Sequence, residues 1–160
     1  MTAAREERQA ALRNLVDLDL AEFAGLVPGT TRGEVSDVLG PAVAEGFAGG
    51  AFPLWMTVHD ISPGIRATAW YLLDEEALEP VVGQDQSVLW IDRPIRPEDV
   101  QSLRDRDDGY SPPRRDHLVA WPERGLCLRM SRRSRLPTLL LAFAAMDADE
   151  FERSPISRHD

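Results

Sequence analysis

The sequence predicts an α+β domain, an antiparallel sheet with helices packed on one face, and three observations carry that prediction. Short amphipathic segments stand just ahead of alternating apolar runs, those runs come in pairs joined by Pro- and Gly-containing turns, and the order helix then hairpin occurs twice. The chain is 160 residues long, enough to bury a core as a single domain without disulfide or metal staples. It divides into an N-terminal helix (1–25), a first helix-hairpin unit (26–92), a second unit (93–146) and a loose tail (147–160).

Residues 3–23 read as helix, because Leu12, Leu15, Val16 and Phe23 fall on one face with charged residues elsewhere. The next segment, LVPGTTRGEVSDVLGPA (26–42), invites comparison with a phosphate-cradling glycine loop. That chemistry needs a preceding strand and a lysine, and the chain has no lysine at all. The residues fit a capped helix over 32–39 instead. Thr31 and Glu34 form a T-x-x-E capping box, Val35, Val38 and Leu39 supply a buried edge, Gly40 suits the terminating position and Pro41 bars continuation.

Residues 40–51 (GPAVAEGFAGGA) read as a pliable connection with little to pack. Two strands follow, Leu54–Asp60 and Ile65–Asp74, joined by the turn ISPG, and then an acidic bend and a strand at 87–92. Pro94 and Pro97 stop the pairing. A short helix begins at Pro97, with Glu98 and Asp99 at its positive end and Val100 and Leu103 facing inward. A polar loop over 105–116 leads to a second hairpin in HLVAWPERGLCLRM (117–130), turning at Pro122–Gly125. For 137–146 two assignments stand open: Leu and Ala favour helix, while a terminal strand would extend the sheet.

The motif G-T-T-R-x-E-V-x-x-x-L-G-P, Gly29 to Pro41, resembles the short-helix signature of the SmpA/OmlA group of bacterial outer-membrane assembly lipoproteins and of β-lactamase-inhibitor-protein-like modules. The resemblance implies a helix-hairpin unit on an antiparallel sheet, sometimes duplicated, that binds proteins rather than catalyses. It transfers no catalytic residue. The chain lacks the signal peptide and the lipid-bearing N-terminal cysteine of the lipoproteins, so only the module is implied, not the outer-membrane role.

Charge narrows the partners. The net charge is −9, and residues 1–110 carry 20 acids against 9 bases, whereas 111–160 carry 7 against 9. Such a surface repels nucleic-acid phosphates and suits a basic protein meeting the first two-thirds of the chain. One cysteine rules out an intrachain disulfide and a cysteine-rich zinc site, and no stretch reaches transmembrane length. The expectation is a cytoplasmic protein with no membrane partner, no cofactor and no metal.

The candidate contact site is the loop DDGYSPPRR, with Asp107, Asp108, Tyr110, Arg114 and Arg115, because two prolines limit its unbound freedom while it presents aromatic and charged groups. Trp70 joins it as an aromatic anchor; Trp55, Trp70, Trp90 and Trp121 sit one to each of four expected strands and can build either a core or a binding face. Thr31, Glu34 and Gly40 are structural caps. Cys127, between two leucines, reads as a small core residue. His59 and His117 lie next to Asp60 and Asp116 on strands, where neighbours point to opposite faces, and His159 reads as solvated. The function that follows is a non-enzymatic protein-binding module of immunity, inhibitor or regulatory kind; the alternative is a small-ligand-binding protein or enzyme with a tryptophan-lined pocket.

Overall fold

The structure, a computed structural model, describes residues 2–20, 25–74, 77–81, 83 and 85–159, of which Thr2 by its backbone alone. Helix α1 (Thr2–Asp17) is followed by α2 (Arg32–Leu39), then strands β1 (Ala44–Ala48), β2 (Leu54–Ser62), β3 (Ile65–Leu72) and β4 (Val88–Pro94). A 3-10 turn (Pro97–Val100) runs into α3 (Gln101–Arg104), and β5 (Leu118–Trp121), β6 (Leu126–Met130), β7 (Pro137–Phe143), α4 (Ala148–Arg153) and α5 (Pro155–Arg158) complete the chain.

The seven strands form one antiparallel sheet in the order β1-β2-β3-β4-β7-β6-β5. Each half is a helix followed by a three-stranded meander, α2 before β2–β4 and α3 before β5–β7. The last strands of the halves pair with each other, Trp90 opposite Phe143 and Asp92 opposite Leu141. Residues 137–143 are therefore strand, not helix. Their apolar run is nearly continuous because β7 lies inside the sheet with both faces covered.

On one face, Leu12 and Leu15 of α1, Val35 and Leu39 of α2, and Val100 and Leu103 pack on Ala67, Ala69, Tyr71, Ile91, Leu126, Leu128 and Leu140. This is the expected helical layer. The N-terminal helix ends at Asp17 rather than near 23: Leu18 takes a left-handed conformation (φ 54°), and the Asp19 N–H closes the end on Asn14 O at 2.9 Å. Phe23 lies outside the described residues.

The Thr31 cap forms as read, with both arms of the capping box present and the Gly40 N–H on Ser36 O. Glu34 does more than cap, since Arg8 of α1 donates to both its oxygens (3.0 and 2.9 Å), tying the helices together. Burial pushes the Glu34 carboxyl up, but the Arg8 and Thr31 bonds outweigh it and hold the group below its ordinary value. Arg93, almost fully buried, reaches from β4 to the last carbonyls of α1, donating to Val16 O and Leu15 O. A cation there adds donors to the carbonyls at the end of the helix, where Leu15 O otherwise takes only a long bond, 3.4 Å, from the Leu18 N–H.

The loose tail is a correction. Residues 147–159 are ordered: Asp147 caps α4, Phe151 is buried against Phe143 with ring centroids 5.4 Å apart, and Ile156 is buried. These side chains form a second core with Leu54, Trp90, Leu118, Cys127 and Leu141 on the sheet face opposite α1–α3. The helices expected on one face thus occupy it as α1–α3, while α4 and α5 cover part of the other. A second correction concerns 40–51, read as a loose connection: Ala44–Ala48 pairs with Val58–Leu54 as the edge strand β1.

Candidate functional site

The expected contact loop lies along β5. Tyr110 exchanges two backbone hydrogen bonds with Ala120, both 2.7 Å, and its hydroxyl donates to Glu152 of α4 at 2.8 Å. Asp108 accepts from the Trp121 indole at 2.9 Å and pairs with Arg106. Those two bonds, Arg106 first, pull its carboxyl down to about 2. Gly109 sits so close that an added Cβ would stand 2.5 Å from Val119. The segment seals the outer edge of β5. Asp107 and Arg114 remain exposed, Arg114 at a turn with φ 63°, and Arg115 is half-buried.

The tryptophans divide. Trp90 is fully buried and Trp121 nearly so, while Trp55 and Trp70 are half-buried. Trp70 stacks on Trp90 (centroids 5.0 Å, planes 11° apart), and both indoles donate to Asp92, at 2.8 and 3.2 Å. Burial raises the Asp92 pKa, against the opposing pull of the Trp70 and Trp90 bonds and the charge of Arg129. His159, expected in solvent, lies against both rings at 4.6 and 5.5 Å, and Arg129 donates to its carbonyl at 3.0 Å. Sequence reasoning marked Trp70 but missed Asp92 and His159. Their only signal was one acid amid an apolar strand and one aromatic-competent residue near the end of the chain.

His117 is buried, and the His59 site is architectural in its bonding. His59 is buried, its Nδ1 facing Gly40 O at 2.8 Å and its Nε2 facing Thr57 Oγ1 at 2.8 Å; Thr57 also meets the Tyr71 hydroxyl at 3.1 Å. With Nδ1–H donated to the carbonyl, the chain anchors the end of α2 to the sheet. Burial lifts the Tyr71 hydroxyl to about 12 and the Cys127 thiol to about 12, so both stay protonated at neutral pH. Buried Cys127 is a core residue, as its leucine neighbours suggested. Asp60 points away from His59 and pairs with Arg66 at 2.9 Å. Among the described residues no three His, Cys, Asp or Glu side chains are placed to hold a metal ion, and no helix is long and apolar enough to cross a membrane.

What remains open is the β1–β3 end. On the face that α4 and α5 share, Met56, Val58, Thr68 and Trp70 are half-buried, Ala44 is exposed and Leu72 is 45% exposed. Beyond β1 there is no further strand or bridge among the described residues. On the opposite face β1 carries exposed Glu45 between Val43 (51% exposed) and Phe47 (43%). Behind Glu45 a cleft of about 580 Å³ opens between α2 on one side and Gly83 and Asp85 on the other, with Thr57 in its wall and Glu45, Asp85 and Arg32 as its charged lining. No protein-family model matches the chain, and neither the curated proteins nor the solved structures contain a match.

Proposed function

We propose that the chain is a non-enzymatic protein-binding module of immunity, inhibitor or regulatory kind, presenting an acidic surface to a basic protein in the cytoplasm. The observation that carries this reading is the unfinished β1–β3 end, a half-exposed apolar sheet face beside an open edge, in the acid-rich part of the chain. Apolar area supplies affinity there, and the surrounding negative charge speeds and orients the encounter with a cation-rich partner. Trp70, on the boundary between covered and open halves, is the aromatic anchor of that surface. The resemblance of Gly29–Pro41 to the helix of protein-binding modules points the same way. The expected contact loop contributes its exposed Asp107 and Arg114 at most, because Asp108 and Tyr110 are already engaged.

The test is capture from native cell extract by the immobilised chain, in parallel with a variant neutralised at Glu45, Asp60, Asp74 and Glu79. The expected result is a basic protein held at low salt, released at moderate salt and absent from the variant. A captured protein indifferent to neutralisation and to salt would contradict the reading, as would a co-purifying small molecule with no protein captured.

A further inference from the structure

The seven-stranded sheet has two edges, and among the described residues only one is closed. At β5 the backbone of Tyr110 fills the hydrogen-bonding positions of Ala120, and Gly109 lets the segment lie tightly on Val119. At β1 the outer peptide groups meet no strand or bridge among the described residues. An open edge is a template for another strand, and proteins usually blunt one with proline, a bulge or several charges. Strand β1 has no proline, keeps unbroken register with β2, and carries a single charge, Glu45.

We infer that the outer edge of β1 is a strand-addition site for an extended, arginine- or lysine-bearing segment of another protein, an inference that rests on the basic-partner reading above. Side chains of an added strand alternate between the two faces of the sheet. On one face Ala44, Gly46 and Ala48 leave room for apolar side chains to lie over the strand toward Met56, Val58 and Leu72. On the other, an incoming residue opposite Glu45 meets an exposed carboxylate that has no ion-pair partner among the described residues. A long cationic side chain there reaches the cleft behind Glu45, where Glu45 and Asp85 outnumber Arg32. Its stem covers Val43 or Phe47, and a guanidinium can stack on the Phe47 ring. The occupant is therefore a strand with basic side chains on one face and apolar ones on the other. A second copy of the chain is the poorer fit, since each copy carries net charge −9 and self-pairing brings two Glu45 carboxylates to one seam.

The probe is a blocked peptide of alternating arginine and valine, titrated into the full chain by calorimetry. It is compared with its analogue N-methylated at alternate residues, which keeps the charge but cannot ladder, and with a glutamate–valine peptide. The arginine peptide is expected to bind, the N-methylated analogue to bind at least about tenfold more weakly, and the glutamate peptide not to bind. Glu45→Arg, with an unchanged melting temperature, is expected to weaken the arginine peptide by about tenfold or more. Equal binding of the parent and N-methylated peptides overturns strand addition while leaving the basic-partner reading intact. Binding of the glutamate peptide as tight as that of the arginine peptide overturns both. Absence of binding by every peptide, or dimerisation of the free chain that Glu45→Arg alters, also overturns the assignment of the edge to a basic partner strand.

Discussion

At the β5 end of the sheet, Tyr110 closes the edge, α4 and α5 roof one face and α3 the other; at the β1 end, the edge strand is five residues of mostly small side chains and one face is bare. Both ends belong to similar helix-meander halves, so the contrast arises from what was added to each. The second half carries a long loop and a C-terminal helical pair on the far face of the sheet; the first carries β1 and, on the near face, α1. Where loop and helices were added, apolar surface is hidden and backbone is paired. Where they were not, the sheet keeps the properties of a docking surface.

The largest effect is expected from stripping the roof. Phe151→Ala removes a fully buried ring stacked on Phe143 and should cost about 4 kcal/mol in urea unfolding. A loss near zero would restore the loose-tail expectation for 147–160. Opening the closed edge comes next: Tyr110→Pro deletes the N–H given to Ala120 O and the hydroxyl given to Glu152. It should cost about 2 kcal/mol and speed amide exchange along the outer edge of β5, because β5 then resembles β1.

Asp92 sharpens the boundary between the halves. Its folded pKa lies above the ordinary value, so the folded state holds the proton more tightly, and stability falls as pH rises through that pKa. Asp92→Asn keeps an acceptor for both indoles without the charge, and should stabilise the protein at neutral pH, a gain that shrinks on acidification. Asp108, at the closed edge, behaves oppositely: with its carboxyl drawn down to about 2, its contribution is present above the unfolded carboxylate range and is lost as pH falls toward that value. Thr31→Ala, which breaks one arm of the capping box, should cost about 1 kcal/mol without altering partner binding. The smallest effect belongs to the bare face, where Leu72→Ala should change stability by less than about 0.5 kcal/mol while weakening partner capture.

The sequence made local structure readable and left non-local structure hidden. The α2 helix was legible from Thr31 to Gly40 because start and stop signals act within a few residues. The hairpins were legible from Pro63–Gly64 and from Pro122–Gly125. Strand β1 was not, since Ala-Glu-Gly-Phe-Ala has weak strand preference and is ordered by pairing with β2. The C-terminal helices were missed because segments of six and four residues offer one or two apolar anchors, Phe151 and Ile156, too few to show a period. The same reason hid the Asp92–His159 cluster, assembled from β3, β4, β6 and the end of the chain. Trp70 was legible as an aromatic on a strand, but its neighbours were not.

Residue-resolved amide hydrogen exchange of the full chain, with and without the arginine–valine peptide, tests the difference between the two edges most directly. In the free protein the β5 amides should exchange slowly and the outward amides of β1 rapidly. With peptide, protection should appear across 44–48 and remain unchanged across 118–121. Protection confined to 107–121, or slow exchange throughout β1 in the free protein, would contradict the account.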